Sequence, residues 1–182
     1  MFRAFAMLVF RLLGWRLTDR RPVPMGSAIY LVVPHTSNWD FPLGLLVRSI
    51  ARIQANYLAK QSLFRPPIGW LFRALGGYPV DRSKSTNLTD QVVHYFRTVP
   101  GFSVAITPEG TRKQVAHWKT GFWHIAKQAG VPLVLSSFDY AKKEVTLSEP
   151  WFVGEDKEKD MAALMDYFRP FTGKNPGHGP AH

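Results

Sequence analysis

His35 and Asp40 stand five positions apart in the run Pro34-His35-Thr36-Ser37-Asn38-Trp39-Asp40, immediately after the apolar stretch AIYLVV at residues 28–33. A carboxylate folded back onto an imidazole holds one ring nitrogen, fixes the tautomer and stabilises the protonated ring. The other nitrogen is then free to take a proton from a hydroxyl. The same residues also read as a helix cap (Asp40) and a polar loop residue (His35), because this spacing is common by chance. A second cluster, Thr107-Pro108-Glu109-Gly110-Thr111-Arg112, follows the apolar FSVAI. Its glycine turn offers two opposite charges and free backbone N–H groups, and an arginine there can grip a phosphate with two parallel hydrogen bonds. The plain alternative is a surface turn carrying an ion pair. A third stretch, residues 60–82, mixes apolar and aromatic residues with Lys60, Arg65, Arg73 and Arg82. By composition alone it reads as a solvated basic helix and turn.

Other chemistries lack their residues. The chain has no cysteine, which removes disulfides, thiolate metal ligands and a cysteine nucleophile, and is compatible with a cytoplasmic setting. It has no G-x-S-x-G elbow either, so a nucleophilic serine has no recognisable setting. His117 and His124 are the other closely spaced histidine pair. Seven-residue spacing without a third ligand gives no metal site, and no metal is expected.

These clusters need elements to hold them. The apolar runs at 28–33, 56–59, 102–107 and 131–138, with shorter candidates at 78–80 and from 144, read as strands. Helical spacing appears at 41–53, 67–75, 86–97, 120–128 and 157–168. Strands alternating with helices indicate an α/β fold, expected here as a single domain with a mixed sheet flanked by helices. Ligands of such sheets bind beyond the strand carboxyl ends, where the first two clusters sit. The expected organisation is an N-terminal helix at 1–17, a domain at 18–172 that opens on a proline-broken linker at 18–25, and a disordered tail at 173–182.

With 182 residues and 46% of them apolar, the chain can bury a proper core. Its formal charge of +10 favours anionic partners: nucleic acid, an anionic bilayer or phosphorylated substrates. No uninterrupted apolar run reaches the length of a spanning helix. The first 17 residues, MFRAFAMLVFRLLGWRL, place Arg3, Arg11 and Gly14 on one narrow arc of a helical wheel that is otherwise apolar except for Arg16. That suits a short helix lying in a membrane interface with its arginines reaching phosphates. Packing on the domain is the alternative.

In combination the clusters resemble the glycerolipid acyltransferase family, whose best-known members are the lysophosphatidic acid acyltransferases. The family signature is a histidine, four residues, then aspartate, matched by His35 and Asp40. Lys60, Phe64, Pro67, Gly69, Gly77 and Arg82 resemble its second block, and Glu109-Gly110-Thr111-Arg112 its third. Lys119 and Gly121 resemble a further lysine–glycine pair, and Val131-Pro132-Leu133-Val134 a valine–proline block. The resemblance covers residues 28–137. Pro34, Thr107 and Lys113 depart from the commoner asparagine, phenylalanine and serine, beside the motifs that would meet the acceptor.

The resemblance implies an O-acyltransferase that moves a fatty acyl group from acyl-CoA or acyl-carrier protein, used as co-substrate, to a lysolipid hydroxyl, by default that of 1-acylglycerol-3-phosphate. An amino-acid-containing lysolipid is the alternative acceptor. His35 is then the general base and Asp40 its partner. Lys60, Arg82, Glu109, Gly110, Thr111 and Arg112 would shape the acceptor site, with an arginine on its phosphate. No cofactor is expected. The implied place is the cytoplasmic face of the cell membrane, peripheral or monotopic. A basic nucleic-acid-binding module is the rival from another class, but no nucleic-acid motif appears and residues 2–15 are too apolar for a groove-binding arm. No nucleic-acid partner is expected.

Overall fold

The computed structural model describes residues 2–81 and 85–176. Seven strands make one mixed sheet: β1 (Arg16–Asp19), β2 (Ile29–Val33), β3 (Ala55–Lys60), β4 (Gly77–Val80), β5 (Ser103–Ile106), β6 (Leu133–Asp139) and β7 (Glu144–Trp151). Their spatial order is β1-β7-β6-β2-β5-β3-β4. Among the described residues β6 and β7 pair antiparallel and the other neighbouring strands pair parallel.

A sheet covered on both faces needs apolar residues at successive positions, which is why its central strands read as unbroken apolar runs. Along β2 the side chains alternate: Ile29, Leu31 and Val33 enter one core, Tyr30 the other. The first core is closed by α4 (Ser85–Thr98), α5 (Gly121–Ala129) and α6 (Lys157–Phe168) through Val92, Val93, Phe122, Ile125, Leu164 and Phe168. The second is closed by α1 (Phe2–Leu12) and α2 (Asp40–Ile50) through Phe10, Leu43 and Val47. A short α3 (Gly69–Ala74) follows a 3-10 turn at Gln61–Phe64.

The expected linker at 18–25 is corrected at its start, because Thr18 and Asp19 belong to β1. This strand pairs with β7 at the sheet edge, Thr18 Oγ1 donating to Glu144 Oε1 at 2.7 Å. An edge strand half open to water carries little apolar signal, and RLTD has almost none. The helix expected at 41–53 stops at Ile50, because Arg52 takes a left-handed φ of 52°.

α1 packs on the domain along one side and is exposed along the other. Ala6 and Phe10 are buried, and Arg3 Nε donates to the Ile50 carbonyl at 3.0 Å. Its outer stripe of Phe2, Phe5, Leu8 and Leu12 is exposed. Among the described residues no helix is long and apolar enough to cross a membrane.

Candidate active site

Three adjacent parallel strands, β6, β2 and β5, end on the same side of the sheet. Beyond their carboxyl ends lie Tyr140, His35 and Glu109, brought together by topology rather than by sequence. Asp40 opens α2, and its carboxylate turns back over the loop before it. Oδ2 accepts from His35 Nδ1 and from the backbone N–H groups of Thr36 and Ser37, each at 2.9 Å. Oδ1 accepts from the Tyr140 hydroxyl at 2.6 Å. The capping alternative therefore takes a different form. Trp39 is the residue before α2 and makes no side-chain cap; Asp40 closes the preceding loop instead.

Burial pushes the Asp40 carboxyl upward, but the hydrogen bonds from His35, Tyr140 and the Ser37 backbone outweigh it and hold it below its usual range. The helix N-terminus also favours its charge. A carboxylate partner means that His35 Nδ1 carries a proton, which leaves Nε2 with the lone pair.

Glu109 is buried, and its Oε1 accepts from the His35 backbone N–H at 2.9 Å. Oε2 is buried without a hydrogen-bond partner. Glu109 thus anchors the histidine's main chain; it was expected to shape the acceptor site. Burial raises its carboxyl to about 7, against the opposing effect of the His35 N–H. A folded-state value raised from 4.5 stabilises the fold at low pH, fully below about 4.5, and that contribution disappears as pH rises through about 7. The window carries roughly 3 kcal/mol. In Glu109→Gln the loss of melting temperature between about pH 5 and pH 8 should shrink markedly. An undiminished loss in thermal denaturation would contradict this assignment.

Gly110 sits at φ 64°, a left-handed conformation that favours glycine, and the end of the Lys119 side chain lies over it. Arg112 donates to Asn38 Oδ1 and is exposed, tying this turn to the His35 loop. Thr111 is exposed and accepts from the Lys113 backbone N–H at 3.3 Å. Lys60 is not brought to His35. As the exposed last residue of β3 it lines a separate groove with Arg65, Arg73 and Asp81. Arg82 lies outside the described residues. The cations that share a cavity with His35 are Arg48 and Lys119.

That cavity measures about 1000 Å³ and is lined by His35, Asp40, Gly110 and Lys119 together with apolar Val32, Leu45, Val47, Leu58, Ile106 and Phe138. Among the described residues no group of three or more His, Cys, Asp or Glu could hold a metal ion.

Two parts of the site escaped the sequence. One is Tyr140. The other is the segment 173–175, which was expected to be disordered. Asn175 Nδ2 donates to the Thr36 carbonyl at 2.8 Å, and Lys174 Nζ lies 4.6 Å from the centre of the Trp39 ring. Residues 177–182 of that expected tail lie outside the described residues.

Comparison with known proteins places this geometry. The acyltransferase family model matches residues 15–136, about two thirds of the chain. A 1-acyl-sn-glycerol-3-phosphate acyltransferase of Escherichia coli (strain K12) is 30% identical over 133 residues, covering 68% of this chain and 52% of that protein. The enzyme of the same name from Salmonella typhimurium (strain LT2) is 29% identical over 147 residues, covering 75% and 58%. The chain thus spans little more than half the length of these curated relatives. The crystal structure of the 1-acyl-sn-glycerophosphate (LPA) acyltransferase PlsC from Thermotoga maritima superposes with a TM-score of 0.62 at 20% identity, over 92% of this chain and 75% of that one. The likeness establishes a shared mixed α/β fold.

Proposed function

Since the chain belongs to the acyltransferase family, we propose that it transfers a fatty acyl group from acyl-CoA or acyl-carrier protein to the hydroxyl of a lysolipid, 1-acylglycerol-3-phosphate first among them. The observation that carries this reading is the His35–Asp40 hydrogen bond beside a largely apolar cavity of about 1000 Å³. His35 Nε2 takes the proton of the acceptor hydroxyl as its oxygen attacks the thioester carbonyl carbon. The carbon–sulfur bond then breaks, and the leaving sulfur receives the proton back from Nε2. Asp40 stabilises the imidazolium in between. Direct transfer requires no acyl-enzyme.

The acceptor phosphate belongs on the cationic side of the cavity, where Lys119 lies over Gly110. Lys60, Arg65 and Arg73 form a second positive groove suited to other anionic groups. The exposed stripe of α1, with Trp39, Phe41 and Trp70 also exposed, gives the chain apolar surface for a bilayer that holds such acceptors. The charge of +10 favours an anionic one.

One experiment tests the reading: acyl transfer on anionic vesicles carrying a panel of lysolipids, with acyl-CoA and acyl-carrier protein in parallel. Preferred turnover of 1-acylglycerol-3-phosphate is expected; preference for an amino-acid-containing lysolipid would change the acceptor, and no turnover with any would defeat the proposal. In the same assay the double variant Phe5→Ser and Leu8→Ser should lose most vesicle binding while staying folded, since both residues are exposed. Deleting residues 1–17 would be a poorer probe because it removes Phe10 and Trp15 from the core.

A further inference from the structure

Tyr140 has no place in the motif blocks, yet it touches Asp40 directly. Its hydroxyl donates to Asp40 Oδ1 at 2.6 Å across 100 residues of sequence. Two further contacts hold Tyr140 in place. Its ring meets Trp15 edge-on, with centroids 4.9 Å apart and an interplanar angle of 90°. Its backbone N–H donates to the Thr172 carbonyl at 2.8 Å. Trp15 in turn packs on Phe10 of α1, with centroids 6.1 Å apart. A hydroxyl fixed in this way is a rigid donor, and one oriented donor on a buried carboxylate fixes its plane.

The two carboxylate oxygens are held independently. Oδ2 takes the imidazole and two backbone N–H groups, while Oδ1 takes the phenol. Three donors on Oδ2 hold one side of the carboxylate. The Tyr140 bond engages the other oxygen, so rotation about Cβ–Cγ would break hydrogen bonds at both.

We propose that Tyr140 is a positioning residue of the transfer reaction, acting through Asp40 to hold the His35 ring in its working orientation. This rests on the reading of His35 as general base. It makes the His35–Asp40 pair a three-membered array supplied by the ends of β2 and β6 and the start of α2. It also places α1 two ring contacts from the array, through Trp15.

Tyr140→Phe is the test. It removes one oxygen and keeps the ring that packs on Trp15, so the variant should fold. The expected result is a fall in kcat of about tenfold with little change in KM for either substrate, since the phenol touches Asp40 rather than the ligand. A second readout does not need turnover. In the native protein the Nδ1 proton of His35, in a charge-assisted bond, should give a far-downfield proton NMR resonance, assigned by its absence from His35→Gln. In Tyr140→Phe this resonance should move upfield and exchange faster with water. Native kcat together with an unmoved resonance would overturn the inference, whatever the melting temperature. A native protein that acylates no lysolipid would defeat the proposed activity instead, and the resonance alone would then decide whether Tyr140 orients the pair.

Discussion

His35→Ala is expected to lower acyl transfer by about a thousandfold or more while the protein stays folded. The imidazole lines the cavity, and its Nε2 keeps the lone pair because Nδ1 is committed to Asp40. Without it the acceptor hydroxyl must lose its proton to water. Folding should survive for a specific reason. The His35 side chain is 23% exposed, and Asp40 keeps the Thr36 and Ser37 N–H groups and the Tyr140 hydroxyl as partners. The His35 main chain, which binds Glu109, is untouched. Initial rates, with thermal denaturation as the folding control, measure the effect. Turnover within about tenfold of native would remove His35 from the chemistry.

Asp40→Asn should cost about a hundredfold or more in kcat with a modest change in KM. Asparagine can place its carbonyl where Oδ2 lies and keep the three donors that meet there. Its amide nitrogen then faces Tyr140, whose hydroxyl can turn to accept. Shape and hydrogen bonding are preserved and only the negative charge is lost, so the imidazolium forming during transfer goes uncompensated. Asp40→Ala is a different experiment. It leaves two backbone N–H groups and a phenol hydroxyl without their acceptor, each costing about 1–3 kcal/mol if no water replaces it. Its stability should fall well below that of the asparagine variant. If kinetic analysis of Asp40→Asn showed raised KM with native kcat, Asp40 would serve binding rather than base catalysis.

Much of this site was legible because a strand buried on both faces announces itself. The runs at 28–33 and 102–107 mark where β2 and β5 end, and each is followed by its polar cluster. The same rule applied to 131–138 points to Asp139 and Tyr140, since β6 is buried along its whole length. The signal for Tyr140 was present; a lone tyrosine after a strand carries no spacing to suggest a carboxylate 100 residues away. β1 was illegible for the opposite reason. Its stability comes from backbone pairing and from Arg16 and Thr18 meeting Glu144, which leave no apolar period. Composition misled at 173–175, where GKN has the glycine and polarity of a free tail. Gly173 is small because Thr36 lies against it: a Cβ there would come within 2.5 Å of the Thr36 side chain. Lys60 lies apart from His35 because it ends β3 with an exposed side chain that lines a separate groove, and a motif position does not show which groove a strand end meets.

The bonds that build the His35 loop span very unequal stretches of chain. Glu109 reaches it across 74 residues, Tyr140 reaches Asp40 across 100, and Asn175 closes on Thr36 across 139. Each is a loop closure whose entropy must be met before the contact gives anything back. Helices and local turns can form early in folding, but the full array on Asp40 cannot exist until β2 and β6 lie side by side. The complete site is therefore expected late in folding, after the helices and the local His35–Asp40 turn.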